Sequence, residues 1–156
     1  MGNKADIDKI DKKILNVLQE NGRITNLNLS NLAGLSPAPT LERVRKLEKS
    51  GVIKSYHANV DAEKLGLNLQ VVIMVSLTRQ INNAMQRFCD KIQTIEEIVE
   101  CVQVTGGYDY LLRVVVKDVQ GLDKLINSKL SKIDEIGSMR TNVILSTIKK
   151  ANKVPL

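Results

Sequence analysis

Pro39, Glu42, Arg43 and Lys46 recur on one side of a helical period, while Leu41, Val44 and Leu47 recur on the other. Guanidinium and ammonium groups on one helix face can donate to guanine edges and to phosphates, and a carboxylate can accept from a cytosine amino group. The chemistry of that face is recognition of duplex DNA, not the making of bonds. No Ser/His/Asp constellation and no glycine-rich phosphate cradle accompanies it. His57 is the single histidine, and Cys89 and Cys101 are isolated thiols outside any Cys-x-x-Cys pair, so neither a metal site nor a cofactor is expected. The two cysteines read as small buried apolar residues. The chain is expected not to be an enzyme.

The flanking residues say how that face is positioned. Ser36 is a good N-cap, Pro37 suits the first helical position, and Gly51 can take the left-handed conformation that stops the helix. Upstream, Ile7 to Gln19 carries Ile7, Ile10, Ile14, Leu15, Val17 and Leu18 at helical spacing, with Asp6 as its cap. Thr25 can cap a second helix through Leu27, Leu29, Leu32 and Ala33, and Gly34-Leu35-Ser36 makes a short turn into the basic helix. Helix, short turn and basic helix form the helix-turn-helix plan. Val52 to Asn59 alternates and reads as a wing strand. A small helical bundle with a solvated basic face is the competing reading.

Within this plan the roles divide. Arg43 and Lys46 are the best candidates for guanine edges or phosphates, and Glu42 for a cytosine amino group. Ser36, Pro39 and Thr40 lie at the helix N-terminus, where backbone N–H groups favour a phosphate. Arg45 lies nearer the buried stripe, as a phosphate or structural contact. Arg23, Lys49 and Lys54 are phosphate clamps that position without specifying.

Charge agrees with this. The chain carries 23 Lys/Arg against 17 Asp/Glu, a net +6. Residues 1–60 hold 10 against 6, and residues 61–156 hold 13 against 11, so the excess is denser in the shorter N-terminal part. Aromatic residues are 3% of the chain, too few for a base-stacking single-strand binder. No apolar run approaches the ~18 residues of a membrane span and no signal peptide is visible. No membrane partner is expected, and the expected place of action is the cytoplasm, on the nucleoid.

The pattern changes after residue 60. Residues 1–60 read as the DNA-binding domain, 61–68 as a linker with a short helical turn, and 69–156 as a second, α+β domain. Its order is strand Leu69 to Leu77, helix Asn82 to Ile92, strand Ile98 to Thr105, strand Tyr110 to Lys117, helix Val119 to Leu130 and strand Met139 to Ile148. This βαββαβ order is the ferredoxin-like split arrangement. The apolar runs at 71–75 and 111–116 supply both faces of the sheet, and one layer of helices covers only one. Dimerisation through the open face is expected to cover the other. A two-fold dimer presents two recognition helices, so the operator should be a rough palindrome with half-sites about one helical turn, ~34 Å, apart.

Ser36-Pro37-x-Pro39-x-Leu41-Glu42-Arg43-Val44-Arg45-Lys46-Leu47-Glu48-x-x-Gly51-x-Ile53 resembles the recognition segment of the Lrp/AsnC (feast/famine) family of regulators. So does the entry Asp8-x-x-Asp11-x-x-Ile14-Leu15-x-x-Leu18-Gln19-x-x-Gly22-Arg23, and Val104 to Leu112 resembles the family's effector-domain turn. The resemblance runs from about Ile7 to Lys149. It implies a winged helix-turn-helix joined to a ligand-sensing domain, a free amino acid as effector, and dimers that assemble to octamers. Carried onto this chain, the effector contacts are Gly106, Gly107, Tyr108, Asp109 and, from the last strand of a neighbouring subunit, Thr141. The chain departs from relatives at Thr40, where some carry cysteine, and at Gly107, where many carry a polar or acidic residue. Without the resemblance, Thr105 to Asp109 reads as a plain hairpin turn. The alternative functions are an effector-independent architectural DNA-binding protein and, more remotely, a sirohaem decarboxylase-like enzyme.

Overall fold

The computed structural model describes residues 6–78, 83–149 and 153–156. The chain divides into two compact units, Met1–Asn59 together with Ile148–Leu156, and Val60–Thr147. The residues after 147, read from sequence with the second domain, pack with the first: the Gln19 side-chain amide exchanges hydrogen bonds with the backbone of Val154, and Lys153 pairs with Glu20.

The first unit holds three helices, α1 (Lys9–Glu20), α2 (Asn26–Ala33) and α3 (Pro37–Lys49). Asp8, not Asp6, caps α1. Its Oδ1 accepts from the N–H groups of Ile10 and Asp11 at 2.8 Å each, and the Asp11 carboxylate accepts in return from the N–H of Asp8. That reciprocal box needs an acceptor three residues into the helix, and Asp11 supplies it. Thr25 caps α2 as expected, and Gly34 ends it at φ 76°. Pro37 opens α3, but the Ser36 hydroxyl makes no capping bond; the Ser36 carbonyl instead accepts from the N–H and the hydroxyl of Thr40. Gly51, at φ 73°, follows the last turn.

Ile14, Leu15, Leu29, Ala33 and Leu47 form the buried centre of this unit. Leu41, expected in the buried stripe of α3, is 39% exposed, and Thr40 takes the inner position instead, fully buried. The expected wing strand is absent: residues 52–59 carry no β-ladder. A strand needs a partner for its backbone groups, and the described part of this unit contains no other strand. The segment is held by Tyr56, whose hydroxyl donates to Glu48 at 3.0 Å and whose ring lies where a Cβ on Gly22 would come within 3.2 Å. Burial first, and then the Glu48 contact, push the Tyr56 phenol up to about 12.

The second unit is a four-stranded antiparallel sheet in the order β2-β3-β1-β4, from β1 (Leu69–Leu77), β2 (Ile98–Gln103), β3 (Tyr110–Val116) and β4 (Ile136–Val143). With α4 (Ala84–Ile92) and α5 (Val119–Ser128) it completes the expected βαββαβ order. The expected helix start at Asn82 lies outside the described residues. β4 begins three residues before Met139 and ends at Val143, opposite Val71; β1 reaches only two residues further, to Leu69, and the last bond to it is from the N–H of Ile144 to the Gln70 carbonyl. Leu145 and Ile148, expected within the strand, are therefore more than nine-tenths exposed.

Alternation along the strands separates the two faces. Val71, Ile73, Val75, Tyr110, Leu112, Val114 and Val116 pack under Phe88 and Ile92 of α4 and Leu122 and Leu125 of α5. Glu135 is buried beside this core and is satisfied by Lys91 at 2.6 Å. That ammonium, with Arg87 behind it, holds the Glu135 carboxyl below the ordinary range. The opposite face carries Val72, Met74, Leu111 and Val115 half-buried, with Glu100 and Arg113 paired across β2 and β3 at 3.0 Å. Among the described residues of this unit no helix lies over it. Cys101 departs from its expected burial and is exposed on edge strand β2, whereas Cys89 is half-buried with its Sγ 3.8 Å from the Tyr110 hydroxyl.

Phe88 is wholly buried between α4 and the sheet. Phe88→Ala is expected to cost about 3–5 kcal/mol of stability, read as a lowered urea midpoint with the secondary structure retained at zero denaturant.

Candidate nucleic-acid interface and effector turn

One guanidinium ties α3 to α1. Arg43 Nη1 donates to Asp8 at 2.7 Å and to Asp11 at 2.8 Å, so a single side chain joins the middle of α3 to the capped start of α1. The N–H of Asp11 and then the Arg43 guanidinium hold the Asp8 carboxyl below its ordinary value, and the Asp11 and then the Asp8 carboxylate raise Arg43 in turn. A second tie comes from α2, where the Asn26 amide donates to the Pro37 carbonyl at 2.8 Å.

These contacts bear on two of the residues expected at the DNA. Arg43 Nη1 is engaged by two carboxylates inside the unit, which sets this side chain apart from the unpaired cations of α3. Thr40 is fully buried, its hydroxyl donating to the Ser36 carbonyl at 2.9 Å, and cannot meet a phosphate. A guanidinium partnered 32 and 35 residues away cannot be told from a free one by helical spacing alone. The remaining positions stay on the outside. Ser36, Glu42, Arg45, Lys46, Lys49, Arg23 and Lys54 are exposed and Pro39 is half-buried. Arg45, once placed nearer the buried stripe, sits beside Glu42 on the outer side, and none of Glu42, Arg45, Lys46 or Lys49 has an ion-pair partner among the described residues. Ala38, one turn before Glu42, is exposed on the same side and was not singled out from sequence, although its spacing of four marked it.

The turn between β2 and β3 closes through the N–H of Val104 to the Asp109 carbonyl at 2.9 Å. Gly106 needs its glycine, at φ 119°, but Gly107 does not: its φ is ordinary and a Cβ there would meet nothing within 4 Å. Asp109 is tied to β1, its N–H donating to the Val75 carbonyl at 2.9 Å and its Oδ2 accepting from the N–H of Leu77 at 2.7 Å. One carboxylate oxygen of Asp109 is therefore structural and the other is open. Among the described residues nothing accepts from the N–H groups of Gly106, Gly107 or Tyr108. Tyr108 is half-buried, and Thr141 is exposed on β4 opposite Ile73. Unpaired N–H groups at a glycine turn can hold a carboxylate. Among the described residues no group of three or more His, Cys, Asp or Glu is placed to hold a metal, and no helix is long and apolar enough to cross a membrane.

The comparisons agree with both halves. Residues 7–54 match the model of winged helix-turn-helix DNA-binding domains, and residues 70–154 match that of the Lrp/AsnC ligand binding domain. The leucine-responsive regulatory protein of Haemophilus influenzae is 43% identical over 150 residues, covering 96% of this chain and 90% of that protein. A transcriptional regulator of Neisseria meningitidis, solved with L-methionine, has a TM-score of 0.93 at 34% identity, covering 96% of each chain. The feast or famine regulatory protein of Mycobacterium tuberculosis, also solved with L-methionine, has a TM-score of 0.82 at 28% identity, covering 94% of this chain and 97% of that one.

A carboxyl depressed in the folded state stabilises it above the unfolded value and stops doing so as pH falls through the folded one. Asp8→Asn keeps the capping oxygen but removes the charge facing Arg43. It is expected to melt below wild type at pH 7, and the gap is expected to close as pH is lowered past the ordinary aspartate value of 3.8, as read by thermal melts of the two proteins across that range.

Proposed function

The chain belongs to the Lrp/AsnC family of effector-responsive, DNA-binding transcriptional regulators, and from that membership we propose how its own residues divide the work. α3 enters the major groove with its outer side, where Glu42, Arg45 and Lys46 meet base edges or phosphates. Ser36, Pro39, Arg23, Lys49 and Lys54 hold the backbone of the duplex. The observation that carries this is the asymmetry of α3: its inner cation is neutralised by Asp8 and Asp11, while Arg45, Lys46 and Lys49 stand exposed and unpaired. Binding is then driven in large part by counterion release, and the protein works as a regulator, not as an enzyme, in the cytoplasm and on the nucleoid.

The effector in this reading is a free amino acid. Its α-carboxylate takes the N–H groups of Gly106, Gly107 and Tyr108, and its ammonium takes the open oxygen of Asp109, with Thr141 contributed by β4 of a neighbouring subunit. The L-methionine in the Neisseria and Mycobacterium structures supports an amino acid with an apolar side chain. A Cβ at Gly107 would meet nothing within 4 Å, so Gly107→Glu fits the turn and tests whether a polar side chain there strengthens the site. The half-apolar face of Val72, Met74, Leu111 and Val115 supports pairing of two sheets into a dimer, and dimers into a larger ring such as an octamer, acting on a roughly palindromic operator.

Fluorescence anisotropy tests the DNA reading. The full chain is expected to bind duplex from its own promoter region at least about tenfold more tightly than random duplex at physiological salt, a modest demand beside the usual specificity ratios. Lys46→Ala is expected to lower the log–log salt slope by about 1 if Lys46 neutralises a phosphate. Equal affinity for promoter and random duplex would reduce the protein to an architectural binder. For the effector, an amino acid at ten times its dissociation constant adds about 1.4 kcal/mol to the native state. The resulting rise in melting temperature is expected for a selective few of the twenty and to disappear in Asp109→Ala.

A further inference from the structure

Glu42 occupies the place on α3 where a carboxylate is least favourable for approaching phosphates. Thr40, Val44 and Leu47 mark the inner side, and at 3.6 residues per turn Glu42 falls at the centre of the outer side. Ala38 stands one turn before it, and Arg45, Lys46 and Lys49 surround it, all exposed. Two structural roles for the acid fail. It lies beyond the first turn after Pro37, where a charge gains from the helix dipole, and it makes no ion pair with Lys46 four residues on, or with any other described residue.

Resting on the DNA-binding reading above, we propose that Ala38 and Glu42 are the specificity-determining pair of this protein, with the surrounding cations left for phosphates and flanking contacts. In the major groove cytosine offers its N4 amino group with no neighbouring acceptor, whereas guanine and thymine offer acceptors and adenine sets N7 beside its amino group. A carboxylate at Glu42 therefore accepts from cytosine and is repelled by the other bases, so the residue selects as much by rejection as by attraction. The Ala38 methyl is suited to the C5-methyl of thymine. Four residues of helix span ~6 Å and a base-pair step ~3.4 Å, so the half-site is read as thymine and cytosine about two steps apart.

Selection from random duplex with the full-length protein, compared for wild type, Glu42→Ala and Glu42→Gln, decides this. Wild type is expected to enrich a motif with cytosine at one half-site position. Glu42→Ala loses the preference there by roughly 5–150-fold and keeps the others, with an unchanged salt slope because the phosphate contacts remain. Glu42→Gln moves that one position to adenine, whose N6 and N7 suit a side-chain amide. Both variants keep the wild-type melting temperature, since Glu42 has no partner to lose. Recovery of the unchanged wild-type motif by both variants, or an even loss at all positions, overturns the assignment while leaving the DNA-binding reading standing. If wild type enriches no motif, the regulator reading fails and this one fails with it.

Discussion

The guanidinium of Arg43, held between Asp8 and Asp11, ties α3 to α1 on the side that Thr40 and Leu47 bury. Charge-assisted hydrogen bonds of this kind are directional as well as strong. Each of the two carboxylates is itself fixed by the reciprocal cap at the start of α1. The chain thus uses one helix N-terminus as the anchor for another helix, and the orientation of the outer residues follows from it. The small apolar centre around Ile14, Leu29 and Leu47 supplies burial but little direction, because apolar contacts are non-directional. The buried Thr40 hydroxyl adds a second constraint, since it fixes the rotation of the first turn.

The second unit solves a different problem with the same economy. Its sheet is rich in β-branched residues on both faces and has helices on one. That leaves an apolar surface, which makes pairing with a copy the natural outcome. The turn at Gly106 is held rigidly at its base by Asp109, through the Val75 carbonyl and the Leu77 N–H, and leaves its own N–H groups unspent. A turn pinned at its base with free donors at its tip is preorganised for a carboxylate. In that view Asp109 serves the site twice, as a strut through one oxygen and as an acceptor through the other.

Much of this was legible in the sequence, for identifiable reasons. Periodicity located β1 to the residue, and the Thr25, Pro37 and Gly51 signals placed α2 and α3, because those features depend on neighbours three or four residues away. What escaped depended on distant partners. The Arg43 ion pairs join carboxylates more than thirty residues upstream, which helical spacing does not reveal. Thr40 looked exposed because a hydroxyl can be satisfied by its own helix and so be buried without cost. The wing at residues 52–59 alternates in sequence, but the described residues of its unit offer no strand for it to pair with. β4 ended early because its partner did. In the turn between β2 and β3, the need for glycine was readable at Gly106, while the freedom of Gly107 required the actual backbone.

If one chain couples an amino acid at the turn to DNA at α3, the two binding events must be reciprocal. The affinity for promoter duplex should be measured with and without saturating amino acid, and the affinity for that amino acid with and without saturating duplex. A coupling of ~1–3 kcal/mol predicts a change of about 5- to 150-fold, of equal size in both experiments. Promoter affinity that is sequence-specific yet identical in the presence of every one of the twenty amino acids would contradict the account.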